Sequence, residues 1–128
     1  MRMTALLVAL AVAVAALASD PPEVRRTKVD LRALSTSAEA YFTDHGEYPQ
    51  AKTLEDLRAK LSPDYLKTVP MTDGWGTPFA YRAARGRDGH YRVVSAGPDR
   101  KFDPSSLDLN KRPAKSDDII YADVGLIH

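Results

Sequence analysis

Between Glu23 and His45 the apolar residues recur at a helical interval. Leu31, Leu34, Ala38, Tyr41 and Phe42 share one face, and Arg32, Ser35, Thr36 and Glu39 fall elsewhere, so the spacing predicts an amphipathic helix. Asp20-Pro21-Pro22 breaks the chain before it, and Gly46 with Pro49 stops it near His45. Thr53, with Asp56 three residues on, opens a second helix that buries Leu54, Leu57 and Leu61. Ser62-Pro63 restarts one turn carrying Tyr65 and Leu66, which Pro70 ends. Beyond Pro70 the period shortens to two. Phe79 and Tyr81 alternate, Gly86 to Gly89 reads as a turn, and Tyr91, Val93 and Ser95 alternate on the return. Ile119, Ile120 and Tyr121 supply a third short strand. A helix followed by antiparallel strands predicts an α+β domain.

With 128 residues and 44% hydrophobic content, the chain suits one domain with a modest core. Lysine and arginine exceed aspartate and glutamate by one, which gives no general attraction to nucleic acid or anionic membranes. Arg82, Arg85, Arg87, Arg92 and Arg100 do gather around the hairpin, beside Tyr81 and Tyr91. In a near-neutral chain they read as the charged outer face of a half-buried sheet, and no nucleic-acid partner is expected. Cysteine is absent, which removes disulfides, thiolate metal sites and thiol nucleophiles.

Residues 1–18 carry Arg2, an apolar stretch from about Ala5 to Leu17, and Ala16-Leu17-Ala18, the small-residue pattern of a cleaved signal peptide. Ser19 would then open a mature chain that is periplasmic or secreted. The alternative is a retained inner-membrane anchor, the one case in which a membrane is expected as a partner. The run from Met3 to Ser19 is slightly short for a span and rich in alanine. Residues 19–27 read as a linker and helix start, and residues 28–128 as the globular domain.

Chemistry is sparse. His45, His90 and His128 are scattered and read as surface residues, and no HExxH, GxSxG, P-loop or GxGxxG occurs. The chain is therefore expected not to be an enzyme. One stretch stands out, SAGPDRKFDPSSLDLNKRPAKSDDII (Ser95 to Ile120), with its carboxylates at Asp99, Asp103, Asp108, Asp117 and Asp118. Such a loop either bonds its own backbone in solvated turns or gathers oxygens around a hard cation such as Ca²⁺.

Five motifs in order carry a resemblance: KVDLRALSTSAEAYFTDHGEYP from Lys28 to Pro49, then YLKTVP, DGWGTPFAY, YRVVSAGPD and DDI. Together they resemble the type II secretion system protein G family, the major pseudopilin and its relatives. The resemblance implies a pilin-like fold, with a long N-terminal amphipathic helix on a small antiparallel sheet and a C-terminal calcium-binding loop. Carried over by position, the calcium ligands would be the side chains of Asp99, Asp117 and Asp118 with the backbone carbonyls of Ala96 and Lys101. Arg100 stands where the family has glycine, and the stretch from Asp99 to Asp117 is longer than the family's, so Asp103 or Asp108 could substitute. The DGWGTP turn makes Trp75 a packing anchor between Gly74 and Gly76. No glycine precedes Gly46, so the prepilin cleavage site of the family has no counterpart before it. The implied role is a non-enzymatic structural and interaction protein whose partners belong to the secretion or pilus machinery. The alternatives are a membrane-anchored atypical pseudopilus subunit and a soluble periplasmic binding module that reuses the scaffold.

Overall fold

A computed structural model describes residues 20–127. The signal-peptide expectation for residues 1–18 and the placement of His128 lie outside these residues. Helix α1 spans Pro22–His45, starting one residue earlier than the pattern suggested because Pro22 takes the first helical turn. There its missing N–H costs nothing and its fixed φ suits the helix. Pro21 before it is extended (φ −57°, ψ 155°), and Gly46 closes the other end in the left-handed conformation with its N–H on the Phe42 carbonyl. Helix α2 (Leu54–Leu61) is capped as its sequence requires, with the Thr53 hydroxyl accepting from the Asp56 N–H at 3.1 Å.

Strands β1 (Ala80–Ala83), β2 (Tyr91–Ser95), β3 (Ile119–Ala122) and β4 (Gly125–Leu126) form one antiparallel sheet in the order β1-β2-β3-β4. A short helix α3 (Pro104–Leu107) lies between β2 and β3. Period-two alternation sends Tyr81, Tyr91, Val93 and Ile119 into the core, where they meet Leu31, Leu34, Ala38, Leu57 and Leu61 from the two long helices. Tyr121 and Ala83 border the same cluster. The opposite row, Val94, Ile120 and Ala122, is also buried. Both faces of the sheet are therefore covered, by α1 and α2 on one side and by α3 with its flanks on the other. The long helix on a small antiparallel sheet is the α+β arrangement expected from sequence.

The DGWGTP turn is fixed from within. Asp73 is almost wholly buried, accepts from the Trp75 and Thr77 N–H groups at 3.0 and 2.9 Å, and receives the Ser95 hydroxyl at 2.7 Å. Gly74 lies so close to α1 that a Cβ would stand under 3.0 Å from the Glu23 backbone, and its N–H donates to Thr27 Oγ1. Trp75 packs against the core as an anchor.

Candidate functional site

The excursion from β2 to β3 begins and ends at paired residues, Ser95 and Ile119. Just inside that neck, Gly97 (φ 73°) rests against the Asp117 backbone. Most of the loop's aspartates make local turns. Asp99 Oδ1 accepts from the Lys101 N–H at 2.9 Å, and Asp108 Oδ1 from the Asn110 N–H at 2.9 Å. Asp103 caps α3, accepting from the Ser105 N–H and hydroxyl, and these bonds hold its pKa below the ordinary value. Asp117 is exposed, as are Asp99 and Lys101, whereas Ala96 is fully buried.

Asp118 differs from all of them. It is 2% exposed, and its Oδ2 accepts from the Asp103 N–H at 2.8 Å. Its Oδ1 is buried with no hydrogen-bond partner, and so is Ser106 Oγ. Burial pushes the Asp118 pKa up. The Ser106 hydroxyl and the Asp103 N–H offset part of the rise, and the negative charges of Asp99 and Asp103 add to it. Ser106 Oγ thus stands near enough to favour the ionised form without the alignment of a hydrogen bond. A buried carboxylate oxygen without a hydrogen-bond partner, whose charge nearby negative groups disfavour, is an arrangement that a cation would relieve.

The five positions implied by the resemblance are not gathered equally. Asp118 is the buried centre, Asp99 is close enough to perturb it, and Asp117 faces solvent. Asp103 is nearer in effect than Asp117. Among the described residues, no group of three or more aspartate, glutamate, histidine or cysteine side chains is placed to hold a metal ion. Such a centre would need backbone carbonyls and water beside Asp118.

What secures the middle of the loop is a residue that sequence reasoning placed elsewhere. Arg92, on β2, was expected on a solvated outer face, and it is only 8% exposed. Nη1 donates to the carbonyls of Ser105 (2.9 Å), Ser106 (3.3 Å) and Asp108 (2.8 Å), and Nη2 to that of Lys111. Among the described residues no carboxylate pairs with it. The guanidinium fork takes up carbonyls at the end of α3 and in the turn after it, and the loop in turn covers the arginine. The alternation did put Arg92 opposite the helices; only the covering loop was not foreseen. Asp103-Pro104-Ser105 did carry a signal for it, an N-cap followed by proline at the first helical position.

The described histidines are exposed. His90 Nδ1 meets Asp123 Oδ2 at 2.6 Å, and His45 stacks on Tyr41 and reaches the Tyr65 hydroxyl at 3.1 Å. The first contact ties the β1–β2 turn to the β3–β4 turn, and the second ties the end of α1 to the turn that carries Tyr65.

Comparison with known proteins identifies a family. The model of the family "Type II secretion system (T2SS), protein G" matches residues 17–110, well over half of the chain. That span holds α1, α2, the β1–β2 hairpin, α3 and Arg92, and ends before Asp117 and Asp118. No curated protein and no solved structure matches. With its long helix, antiparallel sheet and loop between β2 and β3, the chain belongs to the type II secretion system protein G family.

Proposed function

We propose that the chain is an exported, non-enzymatic pseudopilin-like protein that acts through protein contacts in or around type II secretion, with a calcium ion steadying its β2–β3 loop. The observation that carries the role is the family match across the helix and the hairpin. The way α1 begins refines it. Pro22 has no N–H to bond a preceding turn, and Pro21 is extended, so α1 does not run upstream as one continuous rod. The resemblance gives pseudopilins a continuous N-terminal helix as polymer core, and an interrupted one supports a role outside that packing, against partners of the secretion machinery.

For calcium, the supporting observation is the buried Asp118 Oδ1 that has no hydrogen-bond partner and whose negative charge Asp99 and Asp103 disfavour. Asp118 would be the buried ligand. Asp99 and Asp103, which are not grouped with it around a common point, would have to leave the Lys101 and Ser105 N–H groups to add oxygens, and the Ala96 and Lys101 carbonyls with water would complete the shell. The ion would supply the positive charge that the carboxylates lack.

A second reading keeps the apolar Met3–Ser19 segment as an anchor, because the family match already begins at Leu17, inside it. No helix among the described residues is long and apolar enough to cross a membrane, so an anchor would have to be that segment. Intact mass of the native protein from soluble periplasmic and membrane fractions separates the two. A soluble species starting at Ser19 supports the exported interaction protein. A membrane-held species that retains the apolar segment supports the anchored subunit.

A further inference from the structure

Strand β1 is outermost in the sheet, and half of its backbone groups face away from β2. The hydrogen bonds show which half. Ala84 N–H donates to the His90 carbonyl, so in the register Arg82↔Arg92 and Ala80↔Val94 the even residues bond β2. The odd ones, Phe79, Tyr81 and Ala83, turn outward. Two further contacts agree with this. The Phe79 N–H reaches the Met71 carbonyl at 3.1 Å, and Arg82 Nη1 folds back on the Tyr81 carbonyl at 2.8 Å. Met71 therefore closes the edge at its N-terminal end. Beyond it, among the described residues, the Tyr81 N–H and both backbone groups of Ala83 take no partner from any turn, loop or side chain.

Two clefts of opposite character meet at this open run, one on each face of the sheet. On the helix side a cleft of about 670 Å³ includes Lys52, Lys60, Arg85 and Asp56. None of its three cations forms a salt bridge among the described residues. On the loop side a cleft of about 370 Å³ is walled mainly by Pro104, Leu107 and Leu109, with Arg82, Asp108 and Asn110 also lining it. Ala83 lines both.

We propose that the free edge of β1 is a docking site for an extended segment of a partner protein in which acidic and apolar side chains alternate. A strand added to this edge would hydrogen-bond the Tyr81 and Ala83 backbone and send successive side chains to opposite faces. One set would enter the cationic cleft and the other the apolar one. The open run is short, so the two clefts supply the selectivity and the backbone bonds set the register. Exposed edges are ordinarily protected by charge or covering. Arg82 does this for the Tyr81 carbonyl. The inference gives a partner chemistry to the interaction role and rests on that role only for the existence of a protein partner; the test addresses the edge itself.

The probe is an acetylated, amidated hexapeptide of alternating valine and glutamate, titrated into the ¹⁵N-labelled protein. The expected result is a saturable downfield shift and exchange protection of the Tyr81 and Ala83 amide protons. The matching valine–lysine peptide should bind at least tenfold more weakly. The surface double variant K60E/R85E, which leaves the strand untouched, should weaken the glutamate peptide about tenfold. Unmoved Tyr81 and Ala83 amides would overturn the proposal, as would equal binding of the two peptides or indifference to charge reversal. So would a β1-to-β1 dimer that already occupies the edge in the free protein. A secretion-linked protein whose edge fails this test keeps its family role and loses only this site.

Discussion

Replacing Arg92 by methionine removes the guanidinium and keeps most of the stem. In the native protein that group serves four backbone carbonyls while being 8% exposed. A hydrogen bond to a charged donor contributes about 1.5–3 kcal/mol, yet the four cannot simply be added. The Ser106 contact is long at 3.3 Å, and Lys111 lies at the exposed surface, where water would replace the donor. The short bonds to Ser105 and Asp108 carry most of the effect. Against them stands the relief of no longer burying a charge that has no carboxylate partner. The net loss expected is about 2–3 kcal/mol, which for a domain of this size lowers Tm by roughly 10 °C. Arg92→Lys should fall in between, because an ammonium at the end of a flexible stem cannot span the carbonyls as a fork does. Circular-dichroism melts give the Tm, and hydrogen exchange over residues 103–111 shows where the loss is felt. Both effects should persist in calcium and in chelator alike, since the guanidinium binds backbone carbonyls of the loop and none of its carboxylates. A Tm within about 2 °C of the parent, with the loop amides equally protected, would refute the clamp.

Asp118 should behave as a group whose folded pKa lies above its ordinary 3.8. Its stabilising contribution is then complete below the unfolded pKa and is lost as pH rises through the folded value. In chelator, Tm should therefore fall more steeply above pH 4 for the parent than for Asp118→Asn; Asp30 is raised in the same direction and cancels in that comparison. Calcium at a hundred times its dissociation constant should restore about 2.7 kcal/mol to the parent and nothing to the variant, and equal responses would remove Asp118 from the site. Asp73→Ala leaves the Trp75 and Thr77 N–H groups and the buried Ser95 hydroxyl without their acceptor and should cost about 2–4 kcal/mol in a urea melt; a loss under 1 kcal/mol would mean that the turn holds without it. Gly97→Ala forces a Cβ into the Asp117 carbonyl at a left-handed φ, and it should destabilise by at least about 2 kcal/mol, whereas Gly76→Ala, with open space around it, should cost about 1 kcal/mol.

The helices and the hairpin were legible because their signals are local. Leu31, Leu34 and Ala38 lie at helical spacing, Thr53 caps with Asp56 three residues on, and Tyr81, Tyr91 and Val93 alternate between the glycine turns. Strand β4 was not, since two residues carry no period. The loop was legible as a place of interest and not as a structure. Its five aspartates look alike in sequence, and only the fold makes Asp118 buried and Asp117 exposed, although they are neighbours. Arg92 shows the same limit. An arginine on the non-core phase of a strand reads as solvent-facing unless one knows that a distant stretch will lie across it. The free edge of β1 was equally hidden, because which strand ends a sheet is settled by pairing and not by composition.

The β2–β3 excursion leaves the sheet at Ser95 and returns at Ile119, its own pairing partner, with Gly97 and Asp117 drawn together just beyond. The two strands are thus posts a fixed distance apart, and what hangs between them adds nothing to their separation. Doubling the length of a flexible closed segment costs only about 0.6 kcal/mol, so the posts tolerate cassettes of very different size. A longer cassette does need something to hold it by its underside, and here the carbonyls around α3 hook onto a single arginine rising from β2. Transplanting residues 96–118 onto a related sheet would carry the loop's chemistry across only if the arginine travelled with it.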